Sequence, residues 1–155
     1  MSTQILIWGA GAIGASLGAA FQRAGEDVLY VDADAAHVAA MNDAGLTIEG
    51  PVHPDHRPAR AVTPADLTGT FDRIFLCVKA LHTEDAVAAL APHLAADGYV
   101  VSAQNGLNEV GIAQVVGAAR TIGCFVNFGA DYLSPGVVHY SGRGAVVVGE
   151  LDGQD

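Results

Sequence analysis

The stretch that most limits what this chain can fold into is Ile5-Leu6-Ile7-Trp8-Gly9-Ala10-Gly11-Ala12-Ile13-Gly14. Its first four residues are apolar and partly β-branched, which predicts a strand buried in a parallel sheet. The run stops at a glycine turn and helical spacing begins. Ile13, Leu17, Phe21 and Ala24 recur every three or four positions, and Gly25 is placed to end the helix as a C′ glycine. Gly9, Gly11 and Gly14 therefore form G-x-G-x-x-G between a strand and a helix, the context that a dinucleotide fingerprint requires. Gly9 serves the tight turn, Gly11 lets a pyrophosphate approach the backbone, and Gly14 lets helix and strand pack closely. Gly18, one turn on, extends the small-residue face. The phosphates would sit on free N–H groups and the positive end of the helix dipole, which makes Gly9, Ala10, Gly11, Ala12, Ile13 and Gly14 the expected cofactor-binding loop.

The remaining bulk properties narrow the class. At 155 residues the chain suits one domain with a real core. No apolar run approaches the ~20 residues needed to span a membrane. Met1-Ser2-Thr3 leads straight into the first strand, which leaves no room for a signal peptide. Cys77 and Cys124 both lie in apolar runs, so neither a disulfide framework nor a metal site is expected, and a cytoplasmic location is the default. A formal net charge of −10 argues against nucleic acid, because phosphate backbones attract clustered Lys and Arg. It does not exclude an anionic dinucleotide held by oriented amides. The plainer meaning of the acidity is solubility.

Taken in order, Asp27–Val31 predicts a second strand ending at Asp32, which lies 18 residues after Gly14. The fingerprint expects an acid near that point to contact the adenine ribose. A carboxylate there accepts from the 2′-OH and repels a 2′-phosphate. The competing role for Asp32, or for Asp34, is to N-cap a helix over Ala35–Ala44, and Asp34 is the better placed cap. A short strand over Leu46–Glu49 follows. Three prolines between residues 50 and 58 then demand an exposed loop or edge. His53 and His56 lie there without further ligands nearby, so a solvated loop is favoured over a metal site. Ala59–Val62 suggests a short strand, and Thr63-Pro64 the start of a helical turn. Arg73–Val78 is the next buried strand, leading to Lys79. Thr83 is expected to cap a helix to about Leu90, with Glu84 and Asp85 in its first turn, and Pro92 ends or kinks it. A strand over Tyr99–Ala103, a helix over Asn108–Val116 and a strand over Thr121–Phe125 follow. Val137–Ser141 and Ala145–Gly149, separated by Gly142-Arg143-Gly144, read as an antiparallel hairpin.

The alternation of strands and helices predicts a Rossmann-type α/β fold, a doubly wound and mostly parallel sheet with a C-terminal antiparallel hairpin. Ligands should gather beyond the strand carboxyl ends, where Gly9, Asp32, Lys79 and Asn105 converge. Lys79 could meet a phosphate, a ribose or a substrate carboxylate; otherwise it is a solvated junction residue. The Asn105 carboxamide can donate and accept at once, which suits a nicotinamide, a ribose or a substrate hydroxyl as well as a simple turn. His82 is better explained as exposed at a helix start, and the two cysteines as small core residues.

Gly9-Ala10-Gly11-Ala12-Ile13-Gly14, Val78-Lys79-Ala80, Gln104-Asn105-Gly106 and Ser134-Pro135-Gly136-Val137-Val138-His139 together resemble the ketopantoate reductase (2-dehydropantoate 2-reductase) family over essentially the whole chain. The resemblance implies an N-terminal Rossmann domain for NADP, with Gly9, Gly11 and Gly14 on the pyrophosphate and Lys79 in the cofactor cleft. It further implies that Asn105 touches cofactor and substrate, and that Gly129 lines the nicotinamide region through its backbone. The implied reaction is reduction of ketopantoate to pantoate, in pantothenate biosynthesis. Two departures stand out. Asp32-Ala33-Asp34 occupies the position where the family usually carries an arginine for the 2′-phosphate, which favours NAD. The family's catalytic lysine and substrate-binding carboxylate belong to a helical C-terminal domain.

The expected organisation is thus a dinucleotide-binding domain over residues 1–150, with 151–155 beginning a linker to that domain. No catalytic or metal-binding residue is expected within the chain. The expected partner is a small 2-keto acid, with neither nucleic acid nor membrane, and with room for a homodimer. A related NAD-dependent 2-hydroxyacid dehydrogenase is the competing enzyme, and a non-catalytic dinucleotide sensor is the competing binding module.

Overall fold

In this computed structural model residues 3–153 are described. Met1 and Ser2, ahead of the first strand, and Gln154 and Asp155, in the expected linker, lie outside the described residues. The chain runs β1 (Ile5–Trp8), α1 (Ala12–Arg23), β2 (Val28–Val31), α2 (Ala35–Ala44), β3 (Leu46–Glu49), β4 (Asp55–Arg57), β5 (Ala61–Val62) and β6 (Phe71–Leu76). It continues through α3 (Thr83–Leu90), β7 (Leu94–Ser102), α4 (Glu109–Val116), β8 (Thr121–Val126), β9 (Gly129–Ser134), β10 (Val137–Gly142) and β11 (Val146–Glu150).

Seven strands form the main sheet in the order β11-β8-β7-β6-β1-β2-β5. All neighbours in it are parallel except β11 with β8. The chain leaves β1 towards β2 on one side and returns to β6 on the other, so the topological switch point falls between β1 and β6. Side-chain alternation assigns the two faces. Ile5, Ile7, Val28 and Tyr30 join Ala15, Ala19, Val38 and Met41 of α1 and α2 in one buried cluster. Leu6, Trp8, Ile74 and Leu76 join Val87, Leu90, Ile112 and Val116 of α3 and α4 in another. A sheet covered on both faces explains why its strands read as continuous apolar runs.

A second sheet, β4-β3-β10-β9, was absent from the sequence reading. It covers the outer side of α1, which lies against β3, β9 and β10 as well as β1 and β2. Six consecutive residues of α1, Gly14 to Ala19, are therefore buried. A helix enclosed all round must be small and apolar all round. Nothing charged appears in α1 before Arg23.

The expected C-terminal hairpin is corrected here. The antiparallel hairpin is β9–β10, turning at Pro135-Gly136, and β10 also pairs with β3 in parallel. Val146–Glu150 pairs with β8 in the other sheet. The reason is local. A Cβ at Gly144 would lie 2.5 Å from both the Asn127 carbonyl oxygen and the Phe128 nitrogen. Asn127 also bonds Ala145, donating through its own N–H to the Ala145 carbonyl and accepting the Ala145 N–H on its side chain. Residues 143–145 are thereby pulled across from one sheet to the other instead of turning back.

Helix ends follow the local chemistry. Asp34 caps α2, accepting from the N–H groups of Ala36 and His37 at 2.9 and 3.3 Å. Gly45 follows that helix at φ +85°. Thr83 is not a cap but the first, buried residue of α3, preceded by a 3-10 turn over Ala80–His82. Pro92 falls in another such turn, just past the end of α3.

The tightest helix–strand approach is at Gly14, where an added Cβ would overlap the Gly9 carbonyl oxygen and lie 2.9 Å from Ile7 Cγ2. Gly14→Ala should lower unfolding stability by about 1–3 kcal/mol, the usual cost of overpacking. Urea unfolding measures this; an unchanged midpoint would mean that the contact is loose.

Candidate cofactor cleft

The glycine loop lies at the switch point. Gly9 adopts φ +95°, and a Cβ there would sit 2.9 Å from the Val78 nitrogen and Cγ1. The loop is thus pressed against the residues that follow β6. Gly11 differs. Its φ is −68°, open to any residue, and an added Cβ would meet nothing within 4 Å. Neither backbone conformation nor internal packing requires glycine at position 11. The space it leaves opens outward at the N-terminus of α1, where α1 has no side-chain cap. First-turn N–H groups of a helix with no capping side chain form a ready anion site.

Both backbone polar groups of Ala10, which belong to the peptide units on either side of it, are held. Its N–H donates to Asp32 Oδ2 at 2.8 Å, and its carbonyl accepts from His37 Nε2 at 2.7 Å. Asp32 Oδ1 also accepts the Asp34 N–H at 2.9 Å. Asp32 is therefore not the helix cap. It lies half-buried beside the loop, and a carboxylate with two of its four lone-pair sites used can still accept a sugar hydroxyl. Tyr132 of β9 stands edge-on to His37, with ring centroids 5.1 Å apart. Partial burial, and then the carboxylates of Asp34 and Asp32, push its phenol up from the ordinary tyrosine value.

On the other side of the switch point, Lys79 and Asn105 both lie exposed past the ends of β6 and β7. Gln104 joins these two loops from below. Its Nε2 donates to the Val78 carbonyl at 2.7 Å and to Thr83 Oγ1 at 2.8 Å. This explains why Thr83 is buried rather than capping. The Asn105 carbonyl accepts from Asn108 Nδ2 at 2.8 Å, which shapes the loop before α4. A groove of about 510 Å³ runs alongside, between Leu81 and Glu84 on one wall and Leu107 and Val115 on the other.

Gly129 opens β9, three residues past the end of β8. A Cβ there would lie 2.5 Å from Ser141 Oγ, the tip of an exposed side chain that can rotate away, so packing does not by itself demand glycine. His82 is exposed, His56 accepts from or donates to Thr47 Oγ1 at 3.0 Å, and His53 lies near Tyr140. No group of three or more His, Cys, Asp or Glu side chains among the described residues is arranged to hold a metal ion. Burial pushes the Cys77 thiol well above the ordinary cysteine value and raises the Cys124 thiol too, which disfavours the reactive thiolate at both. His37, Gln104 and Tyr132 escaped the sequence reading. The signal for Gln104 was its place in Gln104-Asn105-Gly106, while nothing local marks His37 or Tyr132.

The model of the family described as ketopantoate reductase PanE/ApbA matches residues 5–153. This chain belongs to the ketopantoate reductase family. It is 37% identical over 147 residues to the 2-dehydropantoate 2-reductase of Pyrococcus abyssi, covering 94% of this chain and 47% of that protein. The corresponding enzyme of Archaeoglobus fulgidus is 35% identical, with 97% and 48% covered. The chain spans about half the length of these curated relatives. Among solved structures, the 2-dehydropantoate 2-reductase of Geobacter metallireducens superposes with a TM-score of 0.89 at 29% identity, covering 98% of this chain and 50% of that one. A D-mandelate dehydrogenase in complex with NADH superposes at 0.84 with 26% identity, covering 96% and 47%. The Rossmann-type sheet is thus the ketopantoate reductase fold. No helix among the described residues is long and apolar enough to cross a membrane.

Gln104 tests how the ketopantoate reductase cleft is braced. Gln104→Leu leaves the Val78 carbonyl and the Thr83 hydroxyl without their donor, so unfolding stability should fall by about 1–3 kcal/mol. A denaturation curve that superposes on wild type would show the brace to be dispensable.

Proposed function

We propose that this chain is the dinucleotide-binding part of an oxidoreductase that reduces a small 2-keto acid, with ketopantoate, giving pantoate, as the leading substrate. The observation that carries this reading is Gly11: a glycine with an unstrained backbone and open space where its side chain would be, at the N-terminus of an uncapped helix. Such a position has no need of glycine within the protein, and it fits a pyrophosphate that must reach the backbone. In this reading Gly11, Ala12, Ile13 and Gly14 turn their N–H groups to the phosphates, while Gly9 and Ala10, whose N–H groups are held by the Val31 carbonyl and Asp32, shape the loop beneath them. Asp32 accepts from the adenosine ribose, while Lys79 and Asn105 orient the nicotinamide end and the substrate, with Gly129 at its border. A bound nicotinamide dinucleotide supplies the hydride chemistry, and the fold supplies position.

Reduction of a ketone also needs a proton donor and a group to stabilise the developing alkoxide. Lys79 and His82 are the candidate donors near the strand ends, both exposed, and Lys79 is assigned to the cofactor. The proposal therefore places the proton donor in a further domain. Exposed apolar residues on both faces of the β8–β11 edge support this. Phe125 and Val147 pair across β8 and β11, and Val146, Val148 and Leu151 add to the exposed apolar surface there. The chain alone should bind dinucleotide yet reduce ketopantoate far below ~1 per second, the lower end of ordinary enzyme turnover. A stopped assay with NADH and NADPH decides it, and turnover at an ordinary enzyme rate contradicts the division of labour.

A second reading, an NAD-dependent 2-hydroxyacid dehydrogenase, is favoured by Asp32. A carboxylate at the ribose repels a 2′-phosphate, and the D-mandelate dehydrogenase of this fold was solved with NADH. NADH should bind more tightly than NADPH. Asp32→Asn with Ala33→Arg keeps an acceptor for the Ala10 N–H and adds a cation, so it should move preference towards NADPH by roughly 1–3 kcal/mol. Tighter NADPH binding by wild type would overturn the assignment of Asp32.

The fingerprint itself has a clean test. Gly11→Val fills only open space, so it should cost no more than about 1 kcal/mol of stability, through loss of a favourable N-cap residue. Calorimetry should nonetheless find dinucleotide binding abolished. Undiminished affinity would remove the nucleotide reading.

A further inference from the structure

We propose that His37 is a positioning residue for the phosphate loop, clasping it to the turn between β9 and β10. This inference rests on the dinucleotide reading of that loop. His37 lies on α2, is 1% exposed, and touches none of the space left for a ligand. Its ring bridges two segments 126 positions apart. Nε2 is 2.7 Å from the Ala10 carbonyl, and Nδ1 accepts the Gly136 N–H at 2.9 Å.

These partners determine the state of the ring. Gly136 N–H can only donate, so Nδ1 carries no proton. The Ala10 carbonyl can only accept, so Nε2 must carry one. The imidazole is neutral with its proton on Nε2. No buried polar side-chain atom among the described residues lacks a partner, His37 included.

The clasp gives Ser134-Pro135-Gly136 a role that its distance from the cleft conceals. Gly136 sits at φ +78°, against Ala40 and the Gly45 carbonyl, which a Cβ at this position would meet at ordinary contact distance, 3.4 Å. Its carbonyl accepts the Thr47 N–H at 2.8 Å. The turn is thus fixed to α2 and β3, and it presents one N–H to His37. His37 in turn holds the Ala10 carbonyl, while Asp32 holds the Ala10 N–H from the other side. With the Gly9–Ala10 and Ala10–Gly11 peptide planes both fixed, the Gly11 N–H, which shares a plane with the Ala10 carbonyl, keeps one direction before any ligand arrives. Preorganisation of this kind reduces the ordering that binding would otherwise have to impose.

A structural role alone would make His37 equivalent to any other core residue of α2. Met41, fully buried on the same helix and remote from the loop's hydrogen bonds, is the matched control. NADH is titrated into wild type, His37→Leu, His37→Gln and Met41→Ala at a temperature where all are folded. His37→Leu should lose about tenfold or more in affinity, the scale of leaving a buried carbonyl and amide unpaired. His37→Gln, whose carboxamide can accept and donate, should recover part of that loss. Met41→Ala should be less stable yet bind within about twofold of wild type, since it leaves a cavity rather than an unpaired group. Nitrogen NMR of the wild-type imidazole, which needs no variant to fold, should show the proton on Nε2 and a bare Nδ1.

Wild-type affinity in His37→Leu, an equal loss in Met41→Ala, or a proton on Nδ1 would each overturn this inference alone. A wild-type chain that binds no dinucleotide would overturn the functional reading and this inference with it, while the NMR signature would still report the clasp.

Discussion

The structure depends on how closely α1 can approach the strand that precedes it. Where Gly14 faces the Gly9 carbonyl there is no room for a Cβ, and Gly18 meets the ring of Tyr30 in the same way. This closeness aims the N-terminus of α1 at the switch point between β1 and β6. A bulkier residue at either glycine would push the helix outward and carry its first-turn amides away from Lys79 and Asp32. Close packing therefore requires glycine at Gly14 and Gly18, while neither packing nor backbone conformation requires it at Gly11.

The same helix is roofed by the second sheet. Burial on both sides removes water from around α1, so its small apolar residues stabilise the layer by contact rather than by propensity. It also brings β9 and β10 within reach of α2, which is what lets His37 join Gly136 to Ala10. Ion pairs contribute at the periphery. Burial alone would raise the Asp55 carboxyl, yet hydrogen bonds from Arg57 and Arg23 outweigh it and hold Asp55 below the ordinary range. That links β4 to the end of α1 and ties down the second sheet's edge.

Elements whose ends are set by adjacent residues were legible in the sequence. Asp34 and Gly45 bracket α2 as their cap chemistry requires, Leu46–Glu49 is the strand its alternation indicates, and Gly9-x-Gly11-x-x-Gly14 opens α1. Pairings decided by distant partners were not legible. Val137–Gly142 and Val146–Glu150 are close enough in sequence to suggest a hairpin. Only the contact of Gly144 with Asn127 and Phe128, some sixteen positions back, reveals that they part into two sheets. Thr83 resembled a cap because its partner, Gln104, lies 21 residues away. His37 looked like any helix histidine because both its partners are backbone groups on other elements. At the cleft, the residues that face solvent announced themselves, and the buried ones that hold them did not.

The dinucleotide proposed for this chain lies across the switch point, between the glycine loop and the ends of β2, β6 and β7. Mapping backbone amide shifts in the chain as NADH is added tests this most directly. The largest changes should fall on Gly9 to Gly14, Asp32, Lys79 and Asn105, with exposed β11 undisturbed. Saturable changes confined to β11 or to the groove between α3 and α4, with the glycine loop silent, would contradict it.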